Sequence, residues 1–139
     1  TSFIPWSAAR IAGVNVDDFV AMMPHLGKDA KELDKDAMLT YVQKSGGKII
    51  ANKGATFYAV TRGVCRLCSI LMSASESVTT VSSMMHGEYG IEDVCLSTLA
   101  LVGPNGIQGK IPMALTEEEV GKLKASADAL KNVIAQIEL

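Results

Sequence analysis

An α+β domain, antiparallel strands packed with long helices, is the fold class this sequence predicts, and three observations carry the expectation. Helical spacing runs from Asp36 to about Ser73, β-branched and alternating segments run from Val78 to Leu115, and an acidic-capped helical face follows from Thr116. Helices and strands are therefore segregated along the chain instead of alternating as βαβ units. At 139 residues the chain suits one domain, residues 1–139, long enough to bury roughly two-thirds of its unfolded surface without disulfides or a structural metal.

Phe3 to Val14 mixes aromatic and small residues and reaches Ala12-Gly13, which reads as a short strand or irregular element leading into a turn. Asn15 to Asp34 reads as loop with a short helical piece, Asp17 to Met23, stopped by Pro24 and again by Gly27. The Met22-Met23 pair is expected to pack inward. The spacing of Met38, Val42, Ser45 and Ile49 predicts a helix over Asp36 to Asn52. Gly46-Gly47 inside it costs about 1 kcal/mol per glycine relative to alanine, which points to close packing there. Gly54 fits the stop of that helix, with Lys48 and Lys53 placed toward its negative end.

A second helix is expected from Thr56 to about Ser73, with Val60, Val64, Leu67 and Leu71 as a buried stripe and Arg62 and Arg66 opposite. Val78-Thr79-Thr80-Val81 signals a strand, Gly87-Glu88-Tyr89-Gly90 punctuates, and Val94 to Val102 forms its antiparallel neighbour. Gly103-Pro104-Asn105-Gly106 supplies turn chemistry. Ile107, Gly109, Ile111, Met113 and Leu115 then alternate with Gln108, Lys110 and Pro112, the proline marking a sheet edge or strand end. Thr116-Glu117-Glu118-Glu119 is a capping box, and Leu115 with Val120 could form a hydrophobic staple. Val120, Leu123, Leu130, Val133 and Ile137 continue an apolar face that should cover the sheet to the chain end.

Hydrophobic residues make up 48% and aromatics only 5%, with a mean hydropathy of +0.24. That is oily for a soluble monomer, so exposed apolar helix faces meant for a partner domain or subunit are expected. No run approaches the ~18 apolar residues of a membrane span, and the start lacks the basic-then-apolar layout of a signal peptide, so a cytoplasmic location is the expectation. A net charge of −2 with interspersed signs offers no basic stripe for nucleic acid. Cys65-x-x-Cys68 falls in helical sequence, and Cys95, His25 and His86 are too scattered to complete a tetrahedral site, so no metal is assigned and the cysteines read as buried small hydrophobes. Thr1-Ser2-Phe3-Ile4-Pro5 enters apolar, strand-like sequence without an initiator methionine, which reads as a cut start.

Lys53-Gly54-Ala55-Thr56-Phe57-Tyr58-Ala59-Val60, then Gly87-Glu88-Tyr89-Gly90-Ile91, then Gly103-Pro104-Asn105-Gly106-Ile107, and finally the acidic-capped helix occur in one order along nearly the whole chain. Together they resemble the C-terminal, substrate-binding half of the L-lactate dehydrogenases, within the lactate/malate dehydrogenase family. The resemblance implies a parent oxidoreductase that uses NAD to interconvert pyruvate and L-lactate by hydride transfer. It also implies a nucleotide-binding Rossmann half absent from this segment, and assembly through this half into a homodimer or homotetramer. The family's catalytic histidine, carboxylate-gripping arginine and supporting aspartate are expected upstream of Thr1, so no catalytic residue is assigned here and the segment alone is expected to be inactive. By resemblance, Thr56 contacts the substrate at the small-side-chain end of the pocket, and Val60, one turn later, packs against the nicotinamide as the cofactor-binding residue. A threonine opening a helix also fits a simple cap, and a valine four residues later fits core. His86-Gly87-Glu88 is out of register with the family's histidine loop and leaves His86 as a surface or interface residue; His25 gets no role.

Malate and branched-chain 2-hydroxy acids are the rival substrates. Two further classes are an isolated interaction module using apolar helix faces, and an N-terminal nucleophile at Thr1, which would need a nearby base although the first lysine is Lys28.

Overall fold

The computed structural model describes residues 2–28 and 33–137. A short 3-10 turn at Trp6–Ala8 leads into a two-stranded antiparallel ribbon, β1 (Arg10–Ile11) and β2 (Val14–Asn15), bent at Ala12-Gly13. Helix α1 (Val16–Met22) follows at once. Asn15 accepts a bond from the Asp17 N–H at its start, and the 3-10 turn Met23–Leu26 ends it at Gly27 in the left-handed region. The expected inward Met pair is corrected: Met22 is exposed and Met23 half-buried, because this short helix presents only Val16 to the interior.

Helix α2 (Lys35–Lys53) is capped by Asp34, whose carboxylate accepts from the Ala37 N–H, and is closed by Gly54 at φ 81°, whose N–H reaches the Ile50 carbonyl at 2.7 Å. It buries none of its residues. The expected close packing at Gly46-Gly47 is therefore corrected: a Cβ built on either glycine meets nothing within 4 Å. Few anchors hold α2, among them the Lys35–Asp17 ion pair at 2.9 Å and a bond from Gln43 to the Ser2 carbonyl.

Helix α3 (Tyr58–Leu71) meets the sheet only near its C-terminal end, where Ile70 and Leu67 pack with Ala100, Val102 and Val81. This corrects the buried stripe: Val60, Val64 and Leu71 are exposed, because the sheet reaches α3 only around Leu67 and Ile70. The sheet has the order β3 (Ser77–His86), β4 (Glu92–Gly103), β5 (Gly106–Lys110), all antiparallel. β3 runs well past its β-branched start because β4 offers partners from Val102 down to Glu92. Pairing of β5 stops just before Pro112, after a last bond from the Ile111 N–H to the Leu99 carbonyl, since proline has no N–H to donate.

One face of β4 alternates into the interior as Val94, Leu96, Thr98, Ala100 and Val102. Val94 and Leu96 join Met85, Ile91 and Ala127 in a core under helix α4 (Glu117–Ile134), while Ala100 and Val102 join Ile70 under α3. The capping box forms: the Thr116 hydroxyl accepts from the Glu119 N–H, and the Glu119 carboxylate accepts from the Thr116 N–H. Leu130 and Val133 are exposed and Ile137 lies past the helix, so α4 covers the sheet only as far as about Ala127.

Candidate functional site

The residues singled out by sequence meet at the junction of α2 and α3. Gly54 turns the chain out of α2, Ala55 and Thr56 cross the gap, and Phe57 at φ −147°, ψ −34° enters α3 without a side-chain cap. Thr56 thus lies two residues before the first helical residue, which corrects its expected place at the helix start. The capping alternative falls with it, since the N-cap position belongs to Phe57. A second hold on Phe57 comes from Thr61, whose N–H and hydroxyl both donate to the Phe57 carbonyl at 2.8 Å. The N–H groups ahead of Thr61 have no partner within the helix, so the positive end of α3 faces outward beside Thr56.

Thr56 is exposed, and Val60 is 64% exposed one turn into α3. Neither is sealed inside. Val64 continues the same open aliphatic strip, and Tyr58 stands beside it at 72% exposure. Lys53 reaches over from the end of α2, its ammonium 4.6 Å from the Phe57 ring centre and 4.1 Å from that of Tyr58. The two rings meet edge to face at 4.6 Å. Nothing in the periodicity pointed to that contact, although a lysine four and five residues ahead of an aromatic pair across a glycine turn is the pattern that could have.

The larger cavities lie elsewhere. One of about 700 Å³ opens among Phe3, Ser82, Ser97 and Leu123. Another of about 280 Å³ is lined by Glu88, Tyr89, Thr98 and Lys110. There Lys110, largely buried, donates to Glu88 at 2.9 Å and to the Met84 carbonyl. The bond from Lys110 first, and that from the His86 N–H second, hold the Glu88 carboxyl down to about 2. Burial pushes the Glu119 carboxyl up, but bonds from the Ser7 hydroxyl and N–H and from Thr116 outweigh it and leave it lowered. Both pairings join residues far apart in sequence and carry no local signal.

Cys65, Cys68 and Cys95 are exposed free thiols, correcting their expected burial; α3 turns its cysteines outward, and Cys95 falls on the open face of β4. His86 and His25 are exposed. Thr1 lies outside the described residues. Among the described residues no three metal-ligating side chains converge, and no helix is long and apolar enough to cross a membrane.

Residues 1–139 match the model of the lactate/malate dehydrogenase alpha/beta C-terminal domain. The chain is 33% identical over 139 residues to an L-lactate dehydrogenase of Acetivibrio thermocellus, covering 100% of this chain and 43% of that relative. It is 37% identical over 134 residues to L-lactate dehydrogenase 2 of Clostridium acetobutylicum, covering 96% of this chain and 41% of the relative. The solved L-lactate dehydrogenase from Clostridium thermocellum superposes with a TM-score of 0.79 at 31% identity, over 97% of this chain and 42% of that one. The chain thus spans about two-fifths of the length of these relatives. With a match along its full length and the antiparallel α+β arrangement expected of it, this chain belongs to the lactate/malate dehydrogenase family, as its alpha/beta C-terminal domain.

Proposed function

We propose that this segment is the substrate-facing and assembly half of a cytosolic, NAD-dependent L-lactate dehydrogenase, and that residues 1–139 act with a dinucleotide-binding half supplied by the rest of the enzyme. The observation that carries the reading is the α2–α3 junction: Thr56 and Val60, to which the resemblance gives the pocket roles, lie uncovered beside the open positive end of a helix. Uncovered aliphatic surface one turn from a small β-branched residue fits a short 2-oxo acid held against an apolar ring.

The residues present fit a nicotinamide only through that aliphatic strip, Val60 first, since the dinucleotide's remaining contacts belong to the other half. NAD, when bound, supplies the hydride acceptor for L-lactate oxidation, giving pyruvate, NADH and a proton, with the reverse for reduction. Thr56 would set its methyl group against the substrate methyl and so limit size. Val60 would keep water from the hydride path by covering it with hydrocarbon. The partial positive charge at the start of α3 would favour the anionic substrate nearby. Proton exchange at the substrate hydroxyl would be left to a histidine outside this segment, so the segment alone would not turn over.

Support also comes from the exposed apolar residues of α2 and α3, which suit a homodimer or homotetramer and the missing half. The test is pyruvate reduction by NADH with the full-length enzyme carrying this segment. Turnover is expected, and Thr56→Gly should relax selection toward larger 2-oxo acids by about 10-fold in relative kcat/KM, the scale of one methylene-sized change in a pocket. An unchanged ratio would remove Thr56 from the pocket, and absent pyruvate turnover would remove the lactate reading.

A further inference from the structure

We propose that Lys53 is a positioning residue that sets the substrate size limit, by clamping the end of α2 onto the paired rings of Phe57 and Tyr58 and thereby fixing the link that carries Thr56. The inference rests on the reading of Thr56 given above and extends it to a residue that need not touch substrate.

The link from Gly54 to Phe57 has little to hold its shape. Gly54 sits at φ 81° with open space where a Cβ would be, Thr56 is exposed, and α3 starts without a side-chain cap. Thr61 fixes the Phe57 carbonyl from the α3 side. From the α2 side the hold is Lys53, whose ammonium lies 4.6 and 4.1 Å from the two ring centres, inside the ~6 Å reach of a cation on an aromatic face. The rings support each other edge to face at 4.6 Å, so one cation restrains both residues that follow Thr56. Anchored at both ends, Thr56 presents its methyl at one place. Released at the α2 end, the link samples other shapes, and a pocket wall that moves discriminates less between substrates differing by one carbon.

The experiment compares kcat/KM for pyruvate and for 2-oxobutyrate in the full-length enzyme and four variants. Lys53→Met should lower the preference for pyruvate about fivefold, the worth of an exposed-to-partly-buried cation–π contact. Lys53→Arg should keep the preference, because a guanidinium also stacks on aromatic faces. Tyr58→Leu should reproduce Lys53→Met while leaving the lysine charge in place, which separates clamping from attraction of an anionic substrate. Thr56→Gly is the control for the pocket. A preference that shifts in Thr56→Gly but not in Lys53→Met or Tyr58→Leu overturns the clamp and leaves the pocket reading standing. Equal losses on both substrates in Lys53→Met, or a Lys53→Arg enzyme that behaves like it, also overturn the clamp. No shift in Thr56→Gly removes the pocket reading, and the clamp with it.

Discussion

Tyr89 adopts φ 56°, ψ 19°, a left-handed conformation that few non-glycine residues take without compensation. Its compensation is at the far end of the ring, where the hydroxyl accepts from the Met113 N–H at 2.7 Å and donates to the Met113 carbonyl at 3.2 Å. The Met113 N–H, left behind by β5 beyond Pro112, is thereby satisfied, while the Met113 carbonyl also accepts from the Leu115 N–H at 3.0 Å. Tyr89→Phe keeps the ring and removes both bonds, leaving the Met113 N–H without its partner, and should lower stability by about 1–2 kcal/mol, the cost of an unpaired, partly buried donor. Urea unfolding should show a lower midpoint at unchanged slope; equal midpoints would mean that water replaces the hydroxyl without loss. The turn at Tyr89 could be read from its flanking glycines, but the tether could not, because Met113 lies 24 positions away.

At the scale of elements, legibility tracked how local the cause was. The capping box of α4 was readable because all its atoms lie within four consecutive residues. Thr116→Ala should cost about 1 kcal/mol, measured as a lower thermal or urea midpoint, and a variant as stable as the parent would show that the Ser7 bonds to Glu119 hold the first turn alone. Gly54 as the end of α2 and Pro112 as the limit of β5 were readable for the same reason: each acts through its own backbone. The amphipathic spacing of α3 was readable too, yet it gave the wrong residues as buried. Periodicity states which residues share a face, whereas burial depends on what crosses that face, and β4 crosses α3 only near Ile70. Thr56 shows the same limit: the chain starts its helix one residue after Phe57, a boundary that spacing alone does not resolve.

Across the whole molecule, two properties follow from charges and apolar surface. Glu88, lowered from 4.5 to about 2 by Lys110 and the His86 N–H, contributes stability that is present above pH 4.5 and lost as pH falls through about 2. Protonation removes the partner of Lys110, which then stands largely buried beside β4. The stability difference between the parent and Glu88→Gln should hold steady down to about pH 4.5 and narrow below it, as read from urea midpoints across pH. A gap that stays constant to pH 2 would sink this account. Tyr41, Val42 and Ile50 on α2 and Val60 and Val64 on α3 meanwhile leave large apolar side chains exposed, the kind of surface that a partner covers. Light scattering should give a mass above 14.7 kDa that rises with concentration; a concentration-independent monomer would count against assembly through these helices.

The order of elements, their caps and turns, the excess of apolar surface and the ordered motifs that mark the family were all decided by the sequence itself, because each depends on neighbours within a few residues or on composition. Only the tertiary structure decided which apolar residues are covered, that the three cysteines face solvent, that Lys110 meets Glu88 across the sheet, and that Lys53 rests on two rings beside Thr56. Those outcomes depend on where distant segments come to lie, and burial and pairing are properties of that juxtaposition and not of any single segment.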